Sequence, residues 1–234
     1  MRSGCLRVLL LLLATCVPVV AAAPHITPGQ SATVAVKRST TLAGTGFGTR
    51  KGKVLVAGKK AKVTAWTDTA ITFVVPPSVP DGPAVVDVVD KEGADFTPDY
   101  LTVTGSSAVL AKHSASGSVG GKRFRPSIYY VFTTGSDWQL QMKTPGKHGK
   151  VLTFHVYGLG TLPAVFHGTE GTPATLTYND RKGTTFTGQP GAFTIVITHQ
   201  ENNRLAGAIY GVLTAPDDRT VLIRSVQFSY ATGL

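Results

Sequence analysis

The chain has 234 residues, 42% of them hydrophobic and 15% charged, which excludes a disordered protein and leaves room for one or two cores. Its formal net charge of +10 suits anionic partners. Both cysteines, Cys5 and Cys16, fall within the first 23 residues, so no disulfide staples the rest and no thiol serves there as a nucleophile.

Met1 to Ala23 has the form of a secretory signal. Arg2 and Arg7 supply the charged start, Val8 to Val20 the apolar run, and Ala21-Ala22-Ala23 a small-residue cleavage site. The run is too short for a good membrane span. Leu13-Ala14-Thr15-Cys16 resembles a bacterial lipobox, but Thr15 replaces the usual small residue and an apolar tail follows. Lipid anchoring at Cys16 is therefore not expected. The mature chain should begin between Ala22 and Pro24. The absence of Asn-x-Ser/Thr acceptors and of mature cysteines fits a bacterial envelope or secreted protein. Without Arg2 and Arg7 the charge falls from +10 to +8. Residues 24–104 hold nine Lys/Arg against seven Asp/Glu, and residues 105–234 hold twelve against six. By that count the basic excess belongs mainly to the second half.

No helical period persists after the signal. Short β-prone runs alternate with Gly, Pro and Asp turns instead. After Pro28-Gly29 come runs at 33–36 and 40–43, then 53–56 and 61–66 around the turn Ala57-Gly58-Lys59-Lys60. The run at 70–75 ends at Pro76-Pro77, because proline cannot donate to a ladder. Asp81-Gly82-Pro83 turns into 84–89, and a last run covers 100–103. Seven short strands in this space predict a sandwich. Within Thr41-Leu42-Ala43-Gly44-Thr45-Gly46-Phe47-Gly48, the glycines Gly44, Gly46 and Gly48 suit a bulging, turning chain and Phe47 a plug for one end of the sandwich.

That stretch is followed by Val54-Leu55-Val56-Ala57-Gly58, Trp66-Thr67-Asp68-Thr69 with Ile71, Val75-Pro76-Pro77, Asp81-Gly82, and Asp87 to Gly93. In this order and spacing, residues 26–104 resemble the IPT/TIG family, immunoglobulin-like domains of many extracellular proteins. The paired glycines usual before the first core strand are replaced here by Lys37-Arg38-Ser39. The resemblance implies an immunoglobulin-like sandwich over residues 24–104, acting as spacer or interaction module.

From Ser106 to Ser118 the chain turns small and polar, as a linker or a first strand at 105–118. Strands follow at 127–133, 138–142, 151–157, 174–178, 192–199, 205–214 and 220–230. They predict, over 119–234, a second antiparallel β-sandwich or open barrel, making the whole chain all-β. The segment Phe193 to His199 with Glu201, Arg204-Leu205-Ala206-Gly207, Gly211 and 226–228 weakly resembles an uncharacterised sandwich family of secreted bacterial proteins. That resemblance implies no activity.

Chemistry-bearing patterns are sparse. Gly-x-Ser-x-Gly is absent, no spacing ties Ser and His to a carboxylate, and no cofactor or metal site is expected. His148, His155 and His167 lack zincin spacing and read as surface histidines. Asp87, Asp90, Glu92, Asp95 and Asp99 fit no calcium loop and read as a solvated hairpin with edge charges. The carboxylates Asp137, Glu170, Asp180, Glu201, Asp217 and Asp218 mostly adjoin turns, though a carbohydrate-active enzyme needs only that two converge. Trp138 alternates with Leu140 and Met142 and reads as core. Lys122, Arg123 and Arg125, with Tyr129 and with Lys143, Lys147 and Lys150, would form an anion-binding patch with an aromatic floor if their loops meet. The sequence thus points to an exported binding protein for a surface glycan, a polyanion or an envelope protein. The alternatives are a carbohydrate-active enzyme with the first domain as accessory, and a structural surface subunit. Nucleic acid is not an expected partner.

Overall fold

A computed structural model describes residues 23–91, 93–109, 113–169, 171, 173–201 and 204–231. The expected signal up to residue 22, with Cys16, lies outside the described residues. None of those described is helical, and none forms a helix long and apolar enough to cross a membrane.

The first half runs β1 (His25–Ile26), β2 (Ala32–Ala35), β3 (Ser39–Thr45), β4 (Lys53–Val56), β5 (Lys59–Lys60), β6 (Lys62–Trp66), β7 (Ala70–Val74), β8 (Gly82–Val89) and β9 (Ala94–Thr104). These strands form two sheets, β1-β3-β7-β6 and β2-β9-β8-β4-β5, with β2 parallel to β9 and the remaining pairs antiparallel. Between them lie Leu42, Phe47, Val54, Val56, Ile71, Phe73, Val86 and Val88, all but sealed from solvent. This is the immunoglobulin-like sandwich that the sequence predicts.

Phe47 closes one end. Gly44 makes room for its ring, because a Cβ there would stand 2.3 Å from Phe47 Cζ. Gly46 and Gly48 adopt φ of 68° and 69°, the left-handed region where a side chain is strained. Trp66 Nε1 donates to the carbonyls of Phe47 and Gly48, and Asp68 accepts from Gly48 N at 2.8 Å.

The second half runs β10 (His113–Val119), β11 (Lys122–Phe124), β12 (Ile128–Thr134), β13 (Asp137–Lys143), β14 (Val151–Val156), β15 (Ala164–Phe166), β16 (Ala174–Asn179), β17 (Thr185–Glu201), β18 (Arg204–Thr214) and β19 (Thr220–Ala231). All belong to one antiparallel sheet in the order β11-β10-β19-β18-β17-β16-β14-β13-β12, with β15 added against β17. One face carries a single core that includes Phe124, Trp138, Leu140, Met142, Leu152, Phe154, Leu176, Ile195, Ile209 and Phe228. A sheet that buries one face against itself must curl, so of the two expected forms the open barrel is realised. Its seam lies between β11 and β12. There the Tyr129 ring approaches His113 at 5.9 Å and Tyr230 at 6.2 Å, so side chains bridge where no ladder does.

The two halves dock through outer faces. β8 is buried on both sides, with Val86 and Val88 facing the sandwich core and Val85 facing Val196, Ala208 and Tyr210 of the barrel. Asp87 sits in this dry contact at 2% exposure, so it is not the solvated hairpin charge that the sequence suggested. Its Oδ1 accepts from Tyr210 Oη at 2.5 Å and its Oδ2 from Ser225 Oγ at 2.8 Å, while Gln227 Nε2 donates to both hydroxyl oxygens. Phe96, directly opposite Asp87 in the β8–β9 ladder, stacks on Tyr210 at 3.7 Å between ring centres. Both barrel hydroxyls come from irregular backbone. The β18–β19 register shifts between Ile209 and Gly211, and Ser225 has φ of 48°. Bulges of this kind re-aim side chains, here toward the neighbouring domain.

Two tests follow. Gly46→Val should destabilise the first domain by about 1–3 kcal/mol, read from its unfolding midpoint, since valine is strained at φ of 68°. An unchanged midpoint would mean that the loop relaxes freely. The second concerns Asp87, whose pKa burial pushes up to about 7, against the pull of the Tyr210 and Ser225 hydrogen bonds. A carboxyl that holds its proton longer when folded contributes stability that is full below about pH 4. That contribution fades as pH rises to about 7, by at most about 4 kcal/mol. Wild-type stability should therefore decline relative to Asp87→Asn between pH 4 and 7. Parallel pH profiles for the two proteins would contradict the burial of this carboxyl.

Candidate functional site

Strand pairing gathers charges that are scattered in sequence. β5 ends one sheet of the sandwich and β6 ends the other, so the chain between Lys59 and Lys62 crosses its open side. Arg50 and Lys51 arrive from the β3–β4 loop, Lys53 begins β4, and Lys91 lies in the β8–β9 turn. Together Arg50, Lys51, Lys53, Lys60, Lys62 and Lys91 line a groove of about 710 Å³, floored by Ala61, Val63 and Val89, with Asp90 its one carboxylate among the described residues. Six of the nine basic residues between 24 and 104 are there.

The groove's walls are held in place. A Cβ on Gly52 would stand 2.5 Å from Val89 O, so glycine lets the β3–β4 loop lie against the end of β8. Lys51 Nζ donates to Val63 O at 2.6 Å and ties that loop to β6. Asp90 accepts from Gly93 N at 2.8 Å, which spends part of its carboxylate on its own turn. Exposed lysine heads on a fixed rim focus a positive field into a concave surface. Such a site can hold a chain of sulfates, carboxylates or phosphates.

The near-balance of nine Lys/Arg against seven Asp/Glu over residues 24–104 hides this groove. Arg50 to Lys53, Lys60 to Lys62 and Lys91 are three separate stretches, and only the sandwich brings them together. One signal was available: Lys51, Lys53, Lys59, Lys60 and Lys62 crowd the two flanks of the predicted hairpin around Ala57-Gly58.

The barrel residues singled out from sequence are only partly assembled. Lys122, Lys150 and Arg181 of the β16–β17 turn are near enough for their charges to influence one another. Partial burial lowers the Lys150 pKa, and the nearby charges of Lys122 and Arg181 lower it further, while Asp180 opposes them. Lys147 is exposed in the β13–β14 turn, and Lys143 lies on the outer face of β13 opposite Ile128 and Val151. Arg123 and Arg125 are exposed at and just beyond β11. Tyr129 is half-buried in the seam, its hydroxyl donating to Pro126 O at 3.1 Å. Its ring is used by His113 and Tyr230 rather than offered as a floor for an anion.

Trp138 is core, 7% exposed, and its Nε1 is the one buried side-chain N or O atom without a partner among the described residues. His155 lies on the outer face against Tyr157, with ring centres 3.9 Å apart, and His167 Nδ1 is 3.2 Å from Thr194 Oγ1. His148 is exposed in a turn. Among the described residues no three His, Cys, Asp or Glu side chains cluster as metal ligands would. Glu92 and Glu170 lie outside the described residues.

A DUF4784 family protein from Bacteroides caccae is similar in structure at 8% identity, covering 91% of this chain and 79% of that one, with a TM-score of 0.29. A protein of unknown function from Bacteroides thetaiotaomicron matches at 12% identity, covering 80% and 48%, with a TM-score of 0.28. An auxiliary nutrient binding protein from Bacteroides ovatus matches at 11% identity, covering 82% and 68%, with a TM-score of 0.27. Scores this low carry no argument about fold or function. No curated protein matches the chain. The IPT/TIG family model matches residues 24–105, the span of the two-sheet sandwich and its glycine loop. Residues 24–105 are an IPT/TIG domain.

Proposed function

We propose that this is an exported, non-enzymatic binding protein of a bacterial envelope, and that it holds an acidic polysaccharide in the groove of its IPT/TIG domain. The observation that carries the reading is the convergence of Arg50, Lys51, Lys53, Lys60, Lys62 and Lys91 on one concave surface. Export rests on the signal-like residues 1–23, and an exported cation groove meets acidic glycans rather than nucleic acid. The second cationic cluster, Lys122, Lys150 and Arg181, adds a smaller contact on the barrel. The interior of the barrel, filled by Phe154, Leu140, Met142 and their neighbours, serves as support.

The test is titration of the mature chain with heparin and with polygalacturonate at rising salt. Exposed charges are screened beyond about 8 Å at physiological ionic strength, so affinity should fall steeply as salt rises. Lys53→Gln/Lys60→Gln/Lys62→Gln should weaken binding by roughly tenfold with the unfolding midpoint unchanged, since exposed charges contribute little to stability. Lys122→Gln/Lys150→Gln/Arg181→Gln should weaken it less. Salt-independent binding, or binding that survives the first triple replacement, would remove the groove from the account.

A further inference from the structure

The geometry points to a second binding face, for an uncharged glycan, on the outer surface of β12, β13, β14 and β16. Its site and its ligand differ from the basic groove, and it does not depend on that reading.

Because Trp138, Leu140 and Met142 of β13 and Leu152, Phe154 and Val156 of β14 point into the core, their alternate neighbours must point out. Registers then fix rows across the sheet. Phe132, Gln139, His155 and Thr175 form one row, and Tyr130, Gln141, Thr153 and Thr177 the next. Phe132 is 66% and Tyr130 51% exposed, two of the five most exposed large hydrophobics among the described residues. Tyr157 extends the first row through its ring contact with His155. Gln141 Nε2 donates to Thr153 Oγ1 at 3.3 Å, which leaves its carbonyl oxygen and second N–H for a ligand.

The two rows contain rings, amides, hydroxyls and one histidine, with no Lys, Arg, Asp or Glu. In a chain of net charge +10 this is a local absence of charge. Asp137 and Lys143 stand only at the ends of β13. A neutral polyhydroxylated chain complements such a surface. Its C–H faces lie on rings, and its hydroxyls exchange hydrogen bonds with amides that both donate and accept. A polyanion would gain nothing here. The rigid core beneath keeps the rings in position, so little ordering is lost on binding.

A second copy of the chain is the competing occupant, since β12 ends the sheet. The seam argues against edge pairing. Tyr129 of β12 reaches across to His113 and Tyr230, so β10 and β19 already lie alongside that edge. The face stays open, whereas the start of the edge is covered.

The experiment is surface plasmon resonance of the mature chain over immobilised hydroxyethylcellulose, xylan and galactomannan at 50 and 500 mM NaCl. At least one should bind, with affinity changing by less than about twofold between the two salts, since no charge pair is involved. Tyr130→Ala/Phe132→Ala should lower that affinity by at least about tenfold. Gln139→Ala/Gln141→Ala, which keeps the rings, should also lower it, and Lys53→Gln/Lys60→Gln/Lys62→Gln should leave it unchanged. Failure of all three polymers to bind, or undiminished binding by the ring variant, would overturn the proposal. Sedimentation showing a wild-type dimer that Tyr130→Ala/Phe132→Ala converts to monomer would overturn it too, and would assign the face to a second copy.

Discussion

A carboxyl group buried between two sheets is the constraint on which the rest of this molecule turns. Asp87 cannot stay dry unless its oxygens are satisfied, and the groups that satisfy it belong to the other domain. Removing the barrel from β8 would leave Asp87 beside an exposed strip of Val85 and Phe96; removing Asp87 would take the shared acceptor from the Tyr210 and Ser225 hydroxyls. Each domain is thus incomplete without its neighbour, although each has its own core. Burial raises the pKa of Asp87 and also that of Tyr210, where the nearby Asp87 carboxyl adds to the effect, so the hydroxyl remains a donor.

The same docking sets where ligands can be met. The turn between β4 and β5 lies against the barrel, since a Cβ on Gly58 would stand 2.6 Å from Gln227 Cγ. The cation-lined groove therefore sits on a hairpin braced from behind. The ring-and-amide face belongs to strands at the far end of the barrel sheet from β19, beyond the docked β17, β18 and β19. Charge and its absence occupy separate surfaces of one body.

Much of the fold was legible because alternation survives in sequence. The period of Trp138, Leu140 and Met142 by itself marks them as core, and β-propensity between turns marks the strand 53–56. The glycine loop was legible for a conformational reason, the positive φ at Gly46 and Gly48. Other elements were hidden by their chemistry. His113–Val119 is a strand made of His, Ser, Ala and Gly, and it reads like a linker because its neighbours supply the bulk. Residues 84–89 form a nearly unbroken apolar run, the mark of a strand covered on both faces, and Asp87 within it was the clue to a second covered face. The groove was illegible because it depends on which strands end the two sheets, a matter of topology rather than of local pattern.

Joined through Asp87, the IPT/TIG domain and the barrel should move as one body, which backbone 15N relaxation of the mature chain measures. At pH 5, where the buried carboxyl keeps its proton, residues 24–105 and 113–231 should tumble with one common correlation time. Two separate and shorter correlation times, each matching a domain that moves alone, would contradict it.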